Sequence, residues 1–231
     1  MIQTFESHER GQSRAPWLDS RHAFSFGAFR DPARMGFRAL RVMNEDWIDP
    51  ASGFGAHPHR DMEILTYVIE GELEHADDTG RGSTLRAGDV QRMSAGTGIV
   101  HSEKNPSPEQ RLWLLQIWVE PQELGRAPGY EERHFDWSVG DGEPRLLVQP
   151  GGGDETLDVG ADVALWAAKP LAGSTTQIDA KPGRGIWLQL VRGAVELSGR
   201  TLGAGDAVAV EEESIALHAI EDSEFIWLDL A

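Results

Sequence analysis

The amino-acid sequence contains one strand-and-turn pattern twice, and this repeat constrains the fold more than any other feature. The pattern of residues 68–89 returns at residues 191–206. Each copy has a glycine after its first apolar run, Gly71 or Gly193, and each ends on a Gly-Asp pair. Short runs that alternate apolar and polar residues indicate half-buried β-strands, and glycine supplies the turns between them. The repeat therefore predicts two β-barrels of one pattern.

A connector between the two barrels is expected near residue 125. Residues 120–130 read Glu-Pro-Gln-Glu-Leu-Gly-Arg-Ala-Pro-Gly-Tyr, and this proline and glycine content is typical of a linker. Patterns with the helical period are rare along the whole chain. We therefore expect an all-β protein, with an N-terminal barrel in residues 1–125 and a C-terminal barrel in residues 126–231.

Two short motifs supply candidate metal ligands. His57 and His59 form the first pair. His101 and Glu103 form the second pair. Residues at i and i+2 of a strand project to the same side, so each pair could bind one ion. Imidazole and carboxylate ligands suit Fe(II), Mn(II), Ni(II), Co(II) or Cu(II). The spacing alone does not decide which carboxylate is the ligand, because Glu63 also lies an even number of residues from His59.

The C-terminal copy of the repeat retains little of this chemistry. When the two copies are aligned on their glycines, the ligand positions fall on Asp179, Lys181, His218 and Ile220. Only His218 keeps the residue type, and a lone histidine on a strand is more often structural than a ligand. We assign the C-terminal half a packing role and expect one catalytic metal per chain.

Charge and composition exclude several classes of function. The chain has 21 Lys and Arg against 38 Asp and Glu, a net charge of -17, which argues against direct binding of nucleic acid. It contains no cysteine, which excludes disulfides, thiolate metal sites and cysteine nucleophiles. The N-terminal residues lack a basic and apolar leader, and no run approaches the roughly 20 apolar residues of a membrane span. A cytoplasmic protein without membrane partners is expected.

Several separated segments of the sequence form a recognisable set of motifs. They are Trp17-Leu18-Asp19-Ser20, Met35-Gly36-Phe37, Met93-Ser94-Ala95-Gly96-Thr97-Gly98-Ile99 and Gln116-Ile117-Trp118, together with Gly88, Gly96, His101 and Asn105 at the positions of the second cupin motif. In this order they resemble the pirin family of cupins, and more narrowly they are similar to its bacterial quercetin 2,3-dioxygenase-like members. The resemblance is dense within residues 10–135 and thin beyond that range.

The resemblance implies a bicupin, with two antiparallel jelly-roll barrels packed together. It also implies that Glu103, rather than Glu63, completes the ligand set with His57, His59 and His101. Glu63 would then be a partner of the ligands or take no part. One divalent metal is implied, with Fe(II) as the first choice and Mn, Ni, Co, Cu or Zn as alternatives.

The function implied by the resemblance is oxygen-dependent cleavage of the flavonol quercetin, which releases carbon monoxide and a depside. Glu103 would be the catalytic base. Phe24, Phe26, Met43 and Phe54 are candidate walls for a flat ring, although aromatic residues on strands are more often part of the core. Two alternatives remain open: a metal-dependent redox-responsive regulator that acts through protein partners, and a cupin enzyme for another small molecule. The sequence does not identify protein partners.

Overall fold

The computed structural model describes residues 1–138 and 142–231. Its regular structure consists of β-strands and one short 3₁₀ helix, Ser7–Glu9, which confirms the all-β expectation. None of the helical segments in these two ranges is long and apolar enough to cross a membrane.

Twelve strands lie before residue 135. They are β1 Ile2–Phe5, β2 Gly11–Ala15, β3 Leu18–His22, β4 Leu40–Ile48, β5 Gly53–His59, β6 Glu63–Glu70, β7 Glu72–Asp77, β8 Gly82–Arg86, β9 Asp89–Ser94, β10 Ile99–Lys104, β11 Leu112–Val119 and β12 Gly129–His134. Ten more follow. They are β13 Arg145–Gln149, β14 Leu157–Asp158, β15 Val163–Ala168, β16 Thr175–Ile178, β17 Gly185–Arg192, β18 Ala194–Leu197, β19 Arg200–Gly203, β20 Ala207–Glu211, β21 Ile215–Ala219 and β22 Glu224–Leu230.

One compact unit contains residues 11–135 and 157–161. Its larger sheet has the order β12-β9-β6-β11-β4-β3-β2, and its smaller sheet has the order β5-β10-β7-β8. Two apolar clusters of buried side chains lie in this unit. The first is Ile48, Val68, Leu73, Leu85, Leu112 and Leu114, and the second is Ile64, Met93, Ala95 and Ile99.

A row of polar residues crosses the larger sheet of this unit. His22 on β3 pairs with Asn44 on β4, and Asn44 pairs with Gln116 on β11. Gln116 in turn pairs with Thr66 on β6, which pairs with Gln91 on β9. All five side chains are buried. Buried polar groups need hydrogen-bond partners, so this row of the sheet is a candidate place for a functional site.

The other compact unit contains residues 1–10, 136–156 and 162–231. Its larger sheet includes the order β1-β20-β17-β22-β15-β13, and its smaller sheet has the order β16-β21-β18-β19. The orders β9-β6-β11-β4 and β5-β10-β7-β8 of the first unit thus return here, each strand number raised by eleven. A cluster of buried aliphatic residues with Phe225 and Trp227 forms the core. The predicted repeat of one cupin pattern is confirmed.

The two turn glycines of the repeat are required by the backbone. Gly71 has φ of 80° and Gly193 has φ of 79°, in the left-handed region that other residues adopt at a cost. A Cβ atom at Gly71 would also lie 2.7 Å from the carbonyl oxygen of Arg111, and one at Gly193 would lie 2.5 Å from that of Asp222. The glycines that define the repeat in the sequence are therefore fixed by these tight turns.

The compact units differ from a division at residue 125 in three places, one of which is the position of residues 157–161 in the first unit. Strand β12 pairs with β9, which extends the first unit to Phe135. Strand β1 pairs with β20, with Ile2 opposite Val210, so residues 1–10 belong to the other unit. Linker composition does not reveal these contacts, because each joins segments that are distant in sequence.

Candidate metal centre

Three of the predicted histidines lie together on two neighbouring strands. Strands β5 and β10 are antiparallel, and their register places His57 directly opposite His101. The ring centroids are 4.4 Å apart for His57 and His101, 4.8 Å for His57 and His59, and 4.9 Å for His59 and His101. One nitrogen from each ring lies within 4.8 Å of the other two. These three side chains can therefore face a single ion.

The hydrogen bonds of the histidines leave free nitrogens for an ion. His57 Nδ1 lies 2.8 Å from the carbonyl oxygen of Gly55 and donates to it, so its Nε2 keeps a lone pair. His101 Nε2 is buried and has no hydrogen-bond partner among the described residues. An imidazole nitrogen that is buried without a partner is costly unless an ion or another group binds there. The donor set therefore fits a divalent metal.

Burial also keeps the histidines in the form that binds metal. The pKa of His59 falls to about 4, mainly because of burial and partly because of the neighbouring His57. The pKa of His101 falls to about 3, again mainly because of burial, with contributions from the nearby His57, His59 and His75. Imidazole coordinates metal only when neutral, and at neutral pH these two rings are neutral before any ion arrives.

Glu103 lies beside this triad on β10, after a β-bulge that follows His101. Its side chain is buried, and Gln116 Nε2 lies 3.3 Å and 3.1 Å from its two carboxylate oxygens. Burial raises the pKa of Glu103 to about 7, although the hydrogen bond from Gln116 acts in the opposite direction. Its oxygen falls in a second group of close donor atoms, with His101 and His75, rather than in the group of three histidines. The two groups share His101.

The alternative carboxylate, Glu63, is hydrogen-bonded to a residue outside the histidine triad. Ser94 Oγ donates a hydrogen bond of 2.7 Å to Glu63 Oε2. Glu63 is absent from both groups of candidate metal ligands among the described residues, and it does not line the cavity beside the histidines. Its buried position at the start of β6 therefore has a structural explanation.

A cavity of about 280 Å³ opens beside the histidines. Of the four predicted wall residues, Phe26 and Phe54 line it, whereas Phe24 and Met43 are buried in the core. Trp118 is a wall residue that the sequence analysis did not select, and its ring lies 4.8 Å from His59 at an interplanar angle of 86°. Its position two residues after Gln116 places it on the same side of β11 as the polar row. The full lining is Ser13, Leu18, Ser20, His22, Phe26, Asn44, Asp46, Phe54, His57, His59, Glu103, Gln116 and Trp118.

A second buried carboxyl group, Asp46, lines the same cavity. Ser20 Oγ donates a hydrogen bond to Asp46 Oδ1. Burial raises the pKa of Asp46 to about 7, the hydrogen bond from Ser20 lowers it, and the charges of Glu103 and Glu45 raise it. Asp46 was not among the predicted site residues. A signal was present, because Asn44 and Asp46 are polar residues at i and i+2 on a strand face whose other members, Leu40, Val42 and Ile48, are apolar.

Replacing Asp46 by asparagine is expected to flatten the dependence of stability on pH. Because the pKa is raised in the folded state, the stability tied to the neutral carboxyl is present at low pH and is lost as pH rises through about 7. Between pH 5 and pH 8, wild-type protein should lose about 2–3 kcal/mol more unfolding free energy than Asp46→Asn does. Urea unfolding of metal-free protein measures this difference. Asp154→Asn, at an exposed position, is the matched control, and equal pH dependence in Asp46→Asn and wild type would contradict the prediction.

The histidine retained in the C-terminal copy of the repeat is isolated. His218 is exposed, and its Nδ1 lies 3.2 Å from Thr175 Oγ1. Neither group of candidate metal ligands found among residues 1–138 and 142–231 includes it. We still propose that the C-terminal half has a packing role. We also propose that the chain binds one catalytic ion.

Two family models match the chain. The model described as Pirin matches residues 4–119, a range that includes all the candidate ligands. The model described as quercetinase C-terminal cupin domain matches residues 146–230.

Similar proteins cover nearly the whole sequence. Quercetin 2,3-dioxygenase of Escherichia coli (strain K12) is 46% identical over 233 residues, which span 100% of this chain and 99% of that protein. The pirin-like protein of Caulobacter vibrioides is 39% identical over 219 residues, which span 93% of each. The crystal structure of the bacterial pirin YhhW from Escherichia coli, in complex with nickel(II), has a TM-score of 0.94 and 44% identity, and the match covers 100% of this chain and 99% of that one.

Proposed function

The chain belongs to the pirin family, and from that premise we propose that it is a metal-dependent dioxygenase that cleaves the flavonol quercetin. It is an oxidoreductase of the quercetinase-like cupin type. In the proposed reaction one flavonol and one O₂ give one depside and one carbon monoxide. The observation that supports the proposal most is the triad of close histidines beside a buried carboxyl group in a cavity with aromatic walls.

We propose that His57, His59, His101 and Glu103 hold one divalent ion. Fe(II) is our first choice, and Mn, Ni, Co, Cu and Zn are alternatives; the Escherichia coli relative was crystallised with nickel(II). When bound, such an ion supplies Lewis-acid polarisation of a hydroxyl group and a site for oxygen chemistry. We further expect a cytoplasmic protein with a small-molecule substrate and without direct nucleic-acid or membrane partners.

The residues of the chain supply binding, a base and exclusion of water. Glu103 accepts the proton of the 3-hydroxyl group of the flavonol, which leaves an electron-rich enolate. Gln116 Nε2, which contacts both oxygens of Glu103, holds the carboxylate in place during this transfer. Phe26, Phe54 and Trp118 confine the flat ring and limit the entry of water.

A comparison of flavonol and flavone tests the proposed role of the 3-hydroxyl group. Quercetin should be consumed with oxygen uptake, whereas luteolin, which is the same molecule without the 3-hydroxyl, should be neither cleaved nor bound strongly. The reason is that the 3-hydroxyl would supply both an oxygen for the ion to polarise and the proton that Glu103 accepts. An oxygen electrode with metal-replete protein measures uptake. Equal handling of the two compounds would remove this step from the mechanism, and no turnover of any flavonol would favour the regulator that acts through protein partners.

A further inference from the structure

A buried line of three side chains leads away from the histidine triad. His75 Nδ1 lies 3.5 Å from His101 Nδ1, and His75 Nε2 lies 3.5 Å from Asp77 Oδ2. The side chains of His75 and Asp77 have no exposed surface, and neither residue lines the cavity. The register between β10 and β7 creates this line, because it places Asp77 opposite His101 and His75 opposite Glu103.

Only one pattern of protons suits the whole line when an ion is bound. If His101 coordinates through its partnerless Nε2, its Nδ1 carries the proton and can donate toward His75 Nδ1. His75 then carries its own proton on Nε2, which faces Asp77 Oδ2. These last two atoms are buried and have no hydrogen-bond partner among the described residues, and each faces the other across the ion-pair distance of 3.5 Å. Each nitrogen or oxygen along the line is thus assigned either a proton or a lone pair.

The surroundings fix both members of the pair behind His101. The other oxygen of Asp77, Oδ1, accepts hydrogen bonds from the backbone N–H of Thr79 at 2.8 Å and of Arg81 at 3.2 Å. Tyr130 stacks on the His75 ring, with centroids 4.7 Å apart and an interplanar angle of 27°. Neither side chain is therefore free to turn away from His101.

We propose that His75 and Asp77 are positioning residues that hold His101 in the Nδ1–H tautomer and strengthen its Nε2 as a metal ligand. This inference rests on the proposed metal centre. An imidazole N–H that points at a carboxylate is polarised by it, which raises the basicity of the other ring nitrogen. Here Asp77 acts on His75 in this way, and His75 in turn acts on His101. Groups that hydrogen-bond to metal-binding histidines fix the tautomer and ring orientation, and their loss costs about 10–100-fold in metal affinity or activity.

Two measurements on four variants test the inference. Nickel(II) affinity, measured by chelator competition, should fall about 10–100-fold in His75→Phe, which keeps a ring against Tyr130 but has no nitrogen. In Asp77→Asn, whose side chain can still accept hydrogen bonds but has no charge, nickel(II) affinity should fall several-fold. His75→Gln should recover part of the loss, because its amide oxygen can accept from His101 Nδ1. Tyr130→Phe, which keeps the stacking, should stay within about twofold of wild type.

The tautomer of His101 is read from ¹⁵N NMR of metal-free protein, and it should change from mainly Nδ1–H to a mixture in His75→Phe. Unchanged nickel affinity and an unchanged tautomer in folded His75→Phe would overturn the inference. If that variant does not fold, equal affinity and an equal tautomer in wild type, Asp77→Asn and His75→Gln would overturn it. Wild-type protein that binds neither nickel(II) nor Fe(II) would contradict the proposed metal centre instead, and the NMR comparison would still test the role of His75.

Discussion

Replacing His101 by alanine is expected to remove the bound ion and to reduce oxygen uptake to background. His101 belongs to both groups of close donor atoms, so its loss leaves His57 and His59 without the third nitrogen and Glu103 without its neighbour. Metal affinity should fall by more than about 100-fold, which is the upper end of the effect of losing an outer hydrogen bond to a ligand. Elemental analysis of purified protein and an oxygen electrode measure the two losses together.

Matched controls separate this effect from a general loss of structure. His218→Ala removes an exposed histidine in the other unit and should leave one ion per chain and a rate within a few-fold of wild type. Glu63→Gln should also retain the ion, because Ser94 already satisfies that carboxylate. Metal retained in His101→Ala would contradict the proposed ligand set. Two ions per chain in wild type, with the second lost in His218→Ala, would show a site in the C-terminal half.

Glu103→Gln is expected to lower kcat by about 10²–10⁴-fold, the usual contribution of a positioned general base. Glutamine has nearly the same shape but cannot accept the proton of the flavonol. Its amide is also a weaker metal ligand, so partial loss of the ion is expected, and kcat is expressed per bound ion from elemental analysis. Glu132→Gln serves as the matched control, because Glu132 lies at an exposed position of the same unit and outside the cavity. Full metal occupancy in Glu103→Gln together with metal loss in Glu63→Gln would reverse the assignment of the carboxylate.

The strand period explains why part of the site could be predicted from the sequence. His57 and His59 are two residues apart on one strand, so the sequence alone places them on one side. It could not show that β5 and β10 pair with His57 opposite His101, although the similarity to pirins implied a shared ion. The bulge after His101 changes the register at Glu103, and no sequence period predicts such a change.

Other parts of the site depend on contacts that the sequence pattern does not reveal. His75 and Asp77 have the same i and i+2 spacing as the predicted ligands, yet only the pairing of β7 with β10 places them behind His101. Phe24 and Phe26 are both phenylalanine and are two residues apart, but only Phe26 lines the cavity. The repeat of the fold was easier to predict, since turn glycines with positive φ leave a direct trace in the sequence.

The most direct test of the proposed function is the yield of carbon monoxide from quercetin. Metal-free protein is reconstituted with Fe(II) or Ni(II) without oxygen, mixed with quercetin, and then exposed to O₂ in a sealed vessel, where carbon monoxide, O₂ and quercetin are all measured. We predict equal amounts of quercetin and O₂ consumed and carbon monoxide released, with no release from metal-free protein or from reconstituted His101→Ala. Protein that holds one ion per chain yet releases no carbon monoxide, or releases it equally without the ion, would contradict the proposal.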